Sequence, residues 1–238
     1  MLFWIIATFV AFFIKGLCGF ANTLVFTSIL GFGVANVNIS PVELVMGFPA
    51  NGIQVWKNRK GLKPSIFVPL VLLVLAGSIP GALLLKNVNA QYLKVFFGIV
   101  VVLIGIEMMI REYKELPAKN SRVGRFIVGL CSGVLCGLFG VGVLLAAYVG
   151  RTTENSEEFK ANLGAVFFIE NIMRIITYTV SGVITVESLK MSALMIPIMI
   201  LGMFTGFKSA DILNEKRVKK IVIVLLIISG AMLVIQNI

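Results

Sequence analysis

Gly16-Leu17-Cys18-Gly19-Phe20-Ala21-Asn22-Thr23-Leu24 and, 121 residues later, Gly137-Leu138-Phe139-Gly140-Val141-Gly142-Val143-Leu144-Leu145 decide how this chain is read. Each stretch lies inside a long apolar run and carries glycine where an uninterrupted helix would lose about 1 kcal/mol per substitution relative to alanine. A helix that tolerates several such residues at one place is better read as a helix broken there. The two stretches are therefore taken as equivalent sites in the two halves of one membrane protein.

Composition supports that class. Of 238 residues, 58% are apolar and only 13% charged, with a mean hydropathy of +1.01, whereas soluble domains carry about 25% charged residues. The net charge of +10 does not indicate a nucleic-acid partner, because the basic residues gather in short joints between apolar runs and form no groove-sized face. Cys18, Cys131 and Cys136 all lie in apolar segments, and the chain has no histidine to complete a zinc site. They read as reduced packing residues, and neither a metal nor a cofactor is expected. The apolar N-terminus has no basic leader and no small-residue cleavage pattern, so it is expected to remain in the mature protein.

The first apolar run, from Leu2 to about Val34, would be roughly 50 Å long as one helix, against a bilayer core of about 30 Å. It is split into half-length helices near 2–14 and 23–34, forming a hairpin that dips to mid-membrane or a tilted broken helix. Asn36, Asn38, Ser40 and Pro41 read as a turn, followed by a helix from Val42 to Trp56 and the basic cluster Lys57, Arg59, Lys60 and Lys63. Spans follow at 64–85 and 92–110. The basic connector 114–125 separates a first repeat, 1–113, from a second, 126–238. In the second repeat, the glycine-broken segment 126–150 is followed by a polar joint at 151–160 and spans at 161–180, at 189–207 and from 221 to the end. The expected fold class is all-α integral membrane, with two inverted-topology repeats, each a re-entrant or broken helix hairpin plus three transmembrane helices.

Residue correspondences and charge carry the inversion. Gly77 and Gly81 align with Gly202 and Gly206 at an offset of 125, which also marks both pairs as close helix-packing sites of the Gly-x-x-x-Gly type. If 126–150 re-enters and returns, 16 Lys and Arg residues of the joints share one side against 3 on the other, the asymmetry demanded by the positive-inside rule. Three crossings per half then place the halves in opposite orientations.

Inverted repeats with broken helices are the plan of secondary transporters, with the binding site where the breaks lie. A broken helix directs free N–H groups and a positive dipole end to a place lipid cannot satisfy, and such an end attracts an anion. Two cations also have no role as topology signals: Lys15, beside the first break, and Arg174, well inside its span. Each costs about 2.5–3.5 kcal/mol at mid-bilayer, so each must face protein, water or substrate. Asn51 and Gln54 answer Asn171 and Arg174 at an offset of 120, and these four side chains are expected at the hairpin tips. The candidate substrate-binding residues are Lys15, Gly16, Gly19, Phe20, Ala21, Asn22, Asn51, Gln54, Gly137, Gly140, Val141, Gly142, Asn171 and Arg174. Glu170, read as the one acid deep in a predicted span, is the candidate proton-coupling residue, with a plain Glu170–Arg174 helix pair as the alternative.

The glycine motif of each half, the basic seam and the size resemble the TauE/SafE sulfite exporter family. Members read close to G-L-x-G-x-G-G-G-L at these positions; Gly137, Leu138, Gly140, Gly142 and Leu145 match in the second half, and Gly16, Leu17, Gly19 and Leu24 in the first. Ala21, Asn22 and Thr23 replace the glycine run, as do Val143 and Leu144. The resemblance implies export of sulfite or small organosulfonate anions across the bacterial inner membrane, coupled to protons. The implied partners are the anion and the lipid bilayer, with a homodimer left open. Enzyme readings lack their residues: there is no histidine base, Asp211 is the single aspartate, and no nucleotide fingerprint follows a strand. The rival reading is a membrane channel or assembly subunit without coupled transport.

Overall fold

The computed structural model describes residues 1–31, 36–87, 90–113, 122–140 and 142–210, together with scattered helical positions between 220 and 235. Among the described residues the structure is all-helical. Nine helices are named: α1 Leu2–Cys18, α2 Asn22–Gly31, α3 Asn36–Lys57, α4 Pro64–Asn87, α5 Ala90–Tyr113, α6 Arg122–Phe139, α7 Val143–Thr152, α8 Ser156–Val180 and α9 Val186–Ser209, with a 3-10 turn at Arg59–Gly61. Among the described residues, three stretches are long and apolar enough to cross a bilayer, Pro64–Leu83, Ser156–Val180 and Val186–Ser209. The connector residues 114–121, Val141 and most of the last expected span lie outside the described residues.

Both breaks form as the glycines require. Gly19 caps α1 at φ 84° and donates its N–H to the Lys15 carbonyl, and Gly140 at φ 70° does the same toward Cys136. These are left-handed helix ends of the kind glycine favours. Each long helix of 17 or 18 residues is followed by a short one of 10. Trp4 packs edge-on against Phe26 with ring centroids 5.8 Å apart, although a straight helix would separate the two residues by roughly 33 Å. The first run is therefore a hairpin.

The arms are longer than half a membrane. α1 runs four residues beyond the expected end at 14, and its terminal Leu17 meets Gly206, three residues from the end of α9. The cause is a parallel glycine seam. Gly202 lies against Phe9 and Phe13, Gly206 against Phe13 and Leu17, and Gly16 against Met203, Gly206 and Phe207. A second seam joins α6 to α4: Gly133 to Gly77, and Gly137 to Ser78, Gly81 and Ala82. At each seam backbone touches backbone, as small-residue packing allows. α1 with α9 and α4 with α6 are the most extensive helix pairs, and α3 packs on α8 across the middle.

Several helices start earlier than the sequence reading has them, α6 at Arg122 rather than 126 and α9 at Val186 rather than 189, and two more of these starts, in α3 and α8, bear on the site. α3 begins at Asn36 and carries Pro41 and Pro49 inside it, so the residues taken as a turn are its first turns. α8 begins at Ser156 because the Asn155 side chain accepts the Glu158 N–H, an N-cap satisfying a donor with no intrahelical partner.

Parts of three basic joints, at 57–63, 151–160 and 208, lie near one another. Lys63 Nζ meets Glu158 Oε1 at 2.7 Å, Asn162 donates to the Gly61 carbonyl at 2.9 Å, and Lys57 Nζ stands 3.8 Å over the Phe207 ring. The ends of α3 and α9 and the start of α8 thus share one end of the bundle. The hydrogen bond to Glu158 holds the Lys63 ammonium above its ordinary pKa range. Apolar side chains such as Leu72, Leu103 and Leu201 cover the outside. Polar residues are buried within, the reverse of a soluble domain.

Gly81→Ala drives a methyl group into the Val134 carbonyl and is expected to cost about 1–3 kcal/mol, read as a lower Tm of the purified protein. Gly150→Ala, where the new carbon finds ordinary contacts at 3.6 Å, is expected to leave the Tm unchanged or raised. Ala21 holds a left-handed φ of 71°, a conformation strained for alanine by about 1 kcal/mol. Ala21→Gly is therefore expected to match or exceed the wild-type Tm.

Candidate functional site

A small cavity lies between the two breaks. It is lined by Lys15 of α1, by Phe20 to Leu24 at the first break and the start of α2, by Glu43 and Asn51 of α3, by Gly140 and Gly142 at the second break, and by Phe167, Asn171 and Arg174 of α8. The first turn of α2 and the residue preceding α7 both border it. Two helix N-termini and two cations therefore surround one space, the arrangement that suits an anion. The opposite helix ends, at the C-termini of α1 and α6, are covered by donors. Lys160 Nζ donates to the Leu17 carbonyl at 3.0 Å and Gln54 Nε2 to the Gly19 carbonyl at 2.9 Å. At the second break, Arg174 donates to the Cys136 carbonyl and the Tyr178 hydroxyl to that of Gly137 at 2.9 Å. Free carbonyls at a helix C-terminus repel anions, so these side chains remove the unfavourable half of each break and leave the favourable half facing the cavity.

A continuous polar network lines the walls. Lys15 Nζ donates to Asn51 Oδ1 at 2.7 Å and to Asn22 Oδ1 at 3.2 Å. Asn22 Nδ2 and Thr23 Oγ1 donate to Glu43 Oε1 at 2.8 and 2.7 Å, and Arg174 reaches Glu43 Oε2 at 3.3 Å. The Asn171 amide satisfies its neighbours in one orientation, donating to Glu170 Oε2 at 3.0 Å and accepting from Asn51 Nδ2 at 3.0 Å. Ser78 Oγ holds Glu170 Oε1 at 2.7 Å. Arg174 Nε lies 3.8 Å from that same oxygen, too far to bond, and has no hydrogen-bond partner. Lys15, Glu43, Glu170 and Arg174 are each at most 2% exposed, which for ionised groups is sustained only by such mutual pairing.

Of the residues expected at the site, Lys15, Phe20, Ala21, Asn22, Asn51, Gly140, Gly142, Asn171 and Arg174 are brought together around the cavity. Gly16 and Gly137 stand outside its lining, in the two helix seams, because a parallel crossing leaves no room for a Cβ there. Gly19 rests against the Lys160 side chain, and Gln54 bridges the Gly19 and Lys160 carbonyls. Glu170 stands behind Arg174, outside the lining, and Val141 is outside the described residues.

Glu43, Thr23, Leu24 and Phe167 complete the lining and were not anticipated. Glu170 is consequently not the one deep acid: Glu43, one residue into the helix expected at 42, is two turns inside α3. Lys160 likewise proves to be a buried helix cap rather than a topology signal. The capping pattern Asn155-x-x-Glu158 is the signal from which the earlier start of α8, and so the depth of Lys160, follows.

Comparison with curated proteins and with solved structures returns no match. The model of the family described as sulfite exporter TauE/SafE, in contrast, matches residues 4–233. Spanning both breaks and every wall of the cavity, that match shows that the chain belongs to the TauE/SafE sulfite exporter family of membrane transport proteins.

Proposed function

We propose that this chain is a secondary transporter that exports sulfite or a small organosulfonate across the bacterial inner membrane by alternating access, with coupling to protons. The observation that carries the reading is the convergence of two helix N-termini with Lys15 and Arg174 on one buried cavity. Each sulfonate or sulfite oxygen is a strong acceptor, and the planar fork of an arginine suits such groups. Family membership supports the substrate class. The inverted repeat is supported by the exchange of partners at the seams. α1 of the first half lies along α9 of the second, and α6 of the second lies along α4 of the first, the pairing that a two-fold axis in the membrane plane would produce.

Binding is tested by thermal shift, because a ligand that binds the folded state raises its midpoint by mass action. Sulfite or methanesulfonate is expected to stabilise the wild-type protein, with apparent affinity falling at least roughly tenfold in Arg174→Lys, which keeps the charge but loses the fork, and in Lys15→Gln. Equal stabilisation of both variants and wild type would reject the site. The topology is tested by labelling single cysteines in closed vesicles. Positions 59 and 208 are expected to label from one side of the membrane and position 187 from the other; labelling of 59 and 208 from opposite sides would reject the re-entrant assignment of 126–150.

A further inference from the structure

Glu43 occupies the place that the anion needs. Its two oxygens hold Asn22 and Thr23, the first two residues of α2, and Arg174. Those groups are the side-chain donors at the helix N-terminus and the better-suited cation of the cavity. The charged groups acting on Glu43 are Arg174 and Glu170 of α8 and Lys15 of α1. Tyr178 of α8 and Cys136 of α6 are the other titratable groups that face this cluster. With all four charged groups ionised, Lys15 and Arg174 balance Glu43 and Glu170, so the empty site is neutral. An entering anion would add an uncompensated charge to this four-charge cluster, whose two cations are already balanced. Of the two carboxylates, Glu43 alone lines the cavity and shares donors with it; Glu170 is held from behind by Ser78 and Asn171.

We propose that Glu43 is an internal counter-anion of the empty site, and that it takes up a proton from water when the substrate anion enters. The carboxylate becomes a carboxylic acid, its grip on Arg174, Asn22 and Thr23 is released, and the oxygens of the substrate accept those donors in its place. The site then holds the same net charge before and after binding, and anion and proton share one site. This inference rests on the anion-transport reading and deepens it: Glu43 is the residue through which anion binding and proton binding become one equilibrium, with about one proton taken up per monovalent anion.

The test is calorimetric titration of the full-length protein in nanodiscs with methanesulfonate, which does not titrate in the working range, in buffers of different ionisation enthalpy. Their comparison counts protons taken up on binding. The wild type is expected to take up about one, with affinity weakening toward tenfold per pH unit as pH rises. Glu43→Gln, neutral at all pH, is expected to bind with no proton uptake and a flat pH profile. Binding by the wild type without proton uptake, or uptake surviving in Glu43→Gln, would overturn the assignment. Should Glu43→Gln fail to fold, an infrared difference spectrum of the wild type decides: methanesulfonate must produce the band of a newly protonated carboxyl group, and its absence overturns the proposal. A wild-type protein that binds neither methanesulfonate nor sulfite overturns the anion-transport reading itself, a result distinct from anion binding that moves no proton.

Discussion

A guanidinium 2% exposed in the middle of a membrane protein is the constraint around which this structure is built. Arg174 can remain there only if its charge is met by other charges and its N–H groups by acceptors. α3 supplies Glu43, α8 supplies Glu170 one turn away, and α6 supplies the Cys136 carbonyl. Each of these ties a different element to the same point. The broken end of α6 is fixed because its carbonyls need a donor, and the start of α2 is fixed because Asn22 and Thr23 bind the carboxylate that Arg174 requires. The same charges that organise the fold thereby surround the cavity between the two breaks. Family membership and buried chemistry meet at this cluster.

Much of this was legible before any coordinates. A glycine-rich interruption in an apolar run has few uses in a bilayer, and Gly19 and Gly140 take the positive φ that such an interruption demands. Lys15 and Arg174 were conspicuous because charge at that depth needs a partner. Asn51 and Asn171 were found through the repeat, and they meet each other. Gly16 and Gly137 belong to the same motif as the lining glycines, yet packing claims them. A motif read in one dimension does not separate a residue that approaches a ligand from one that approaches a helix.

Two of the misses, Glu43 and Lys160, share one cause, the placement of helix starts. Asn36, Asn38, Ser40 and Pro41 have the composition of a turn, and reading them so left Glu43 at a helix end, where an acid is unremarkable. Their place in α3 carries it inward. Lys160 was counted with a joint for the same reason, although the Asn155 cap starts α8 early enough to bury it. Polar residues at a helix start in a membrane protein face two outcomes, solvent or the interior of the bundle. Local propensity is the same for both, and tertiary packing decides.

The glycine seams have a mechanical consequence. Where backbone lies on backbone there is no layer of side chains to change rotamer or slide, so α1 and α9 must travel as one body, and α4 and α6 as another. Each body takes one helix from either half of the chain. The contact of α3 on α8 is of another kind, made through side chains, and there the rings of Phe48 and Phe168 stack nearly flat with centroids 4.8 Å apart. The covalent halves of the chain are therefore not its rigid bodies: each seam joins a helix of the first half to one of the second, and the stacked aromatic pair lies in the contact between the two halves' central helices.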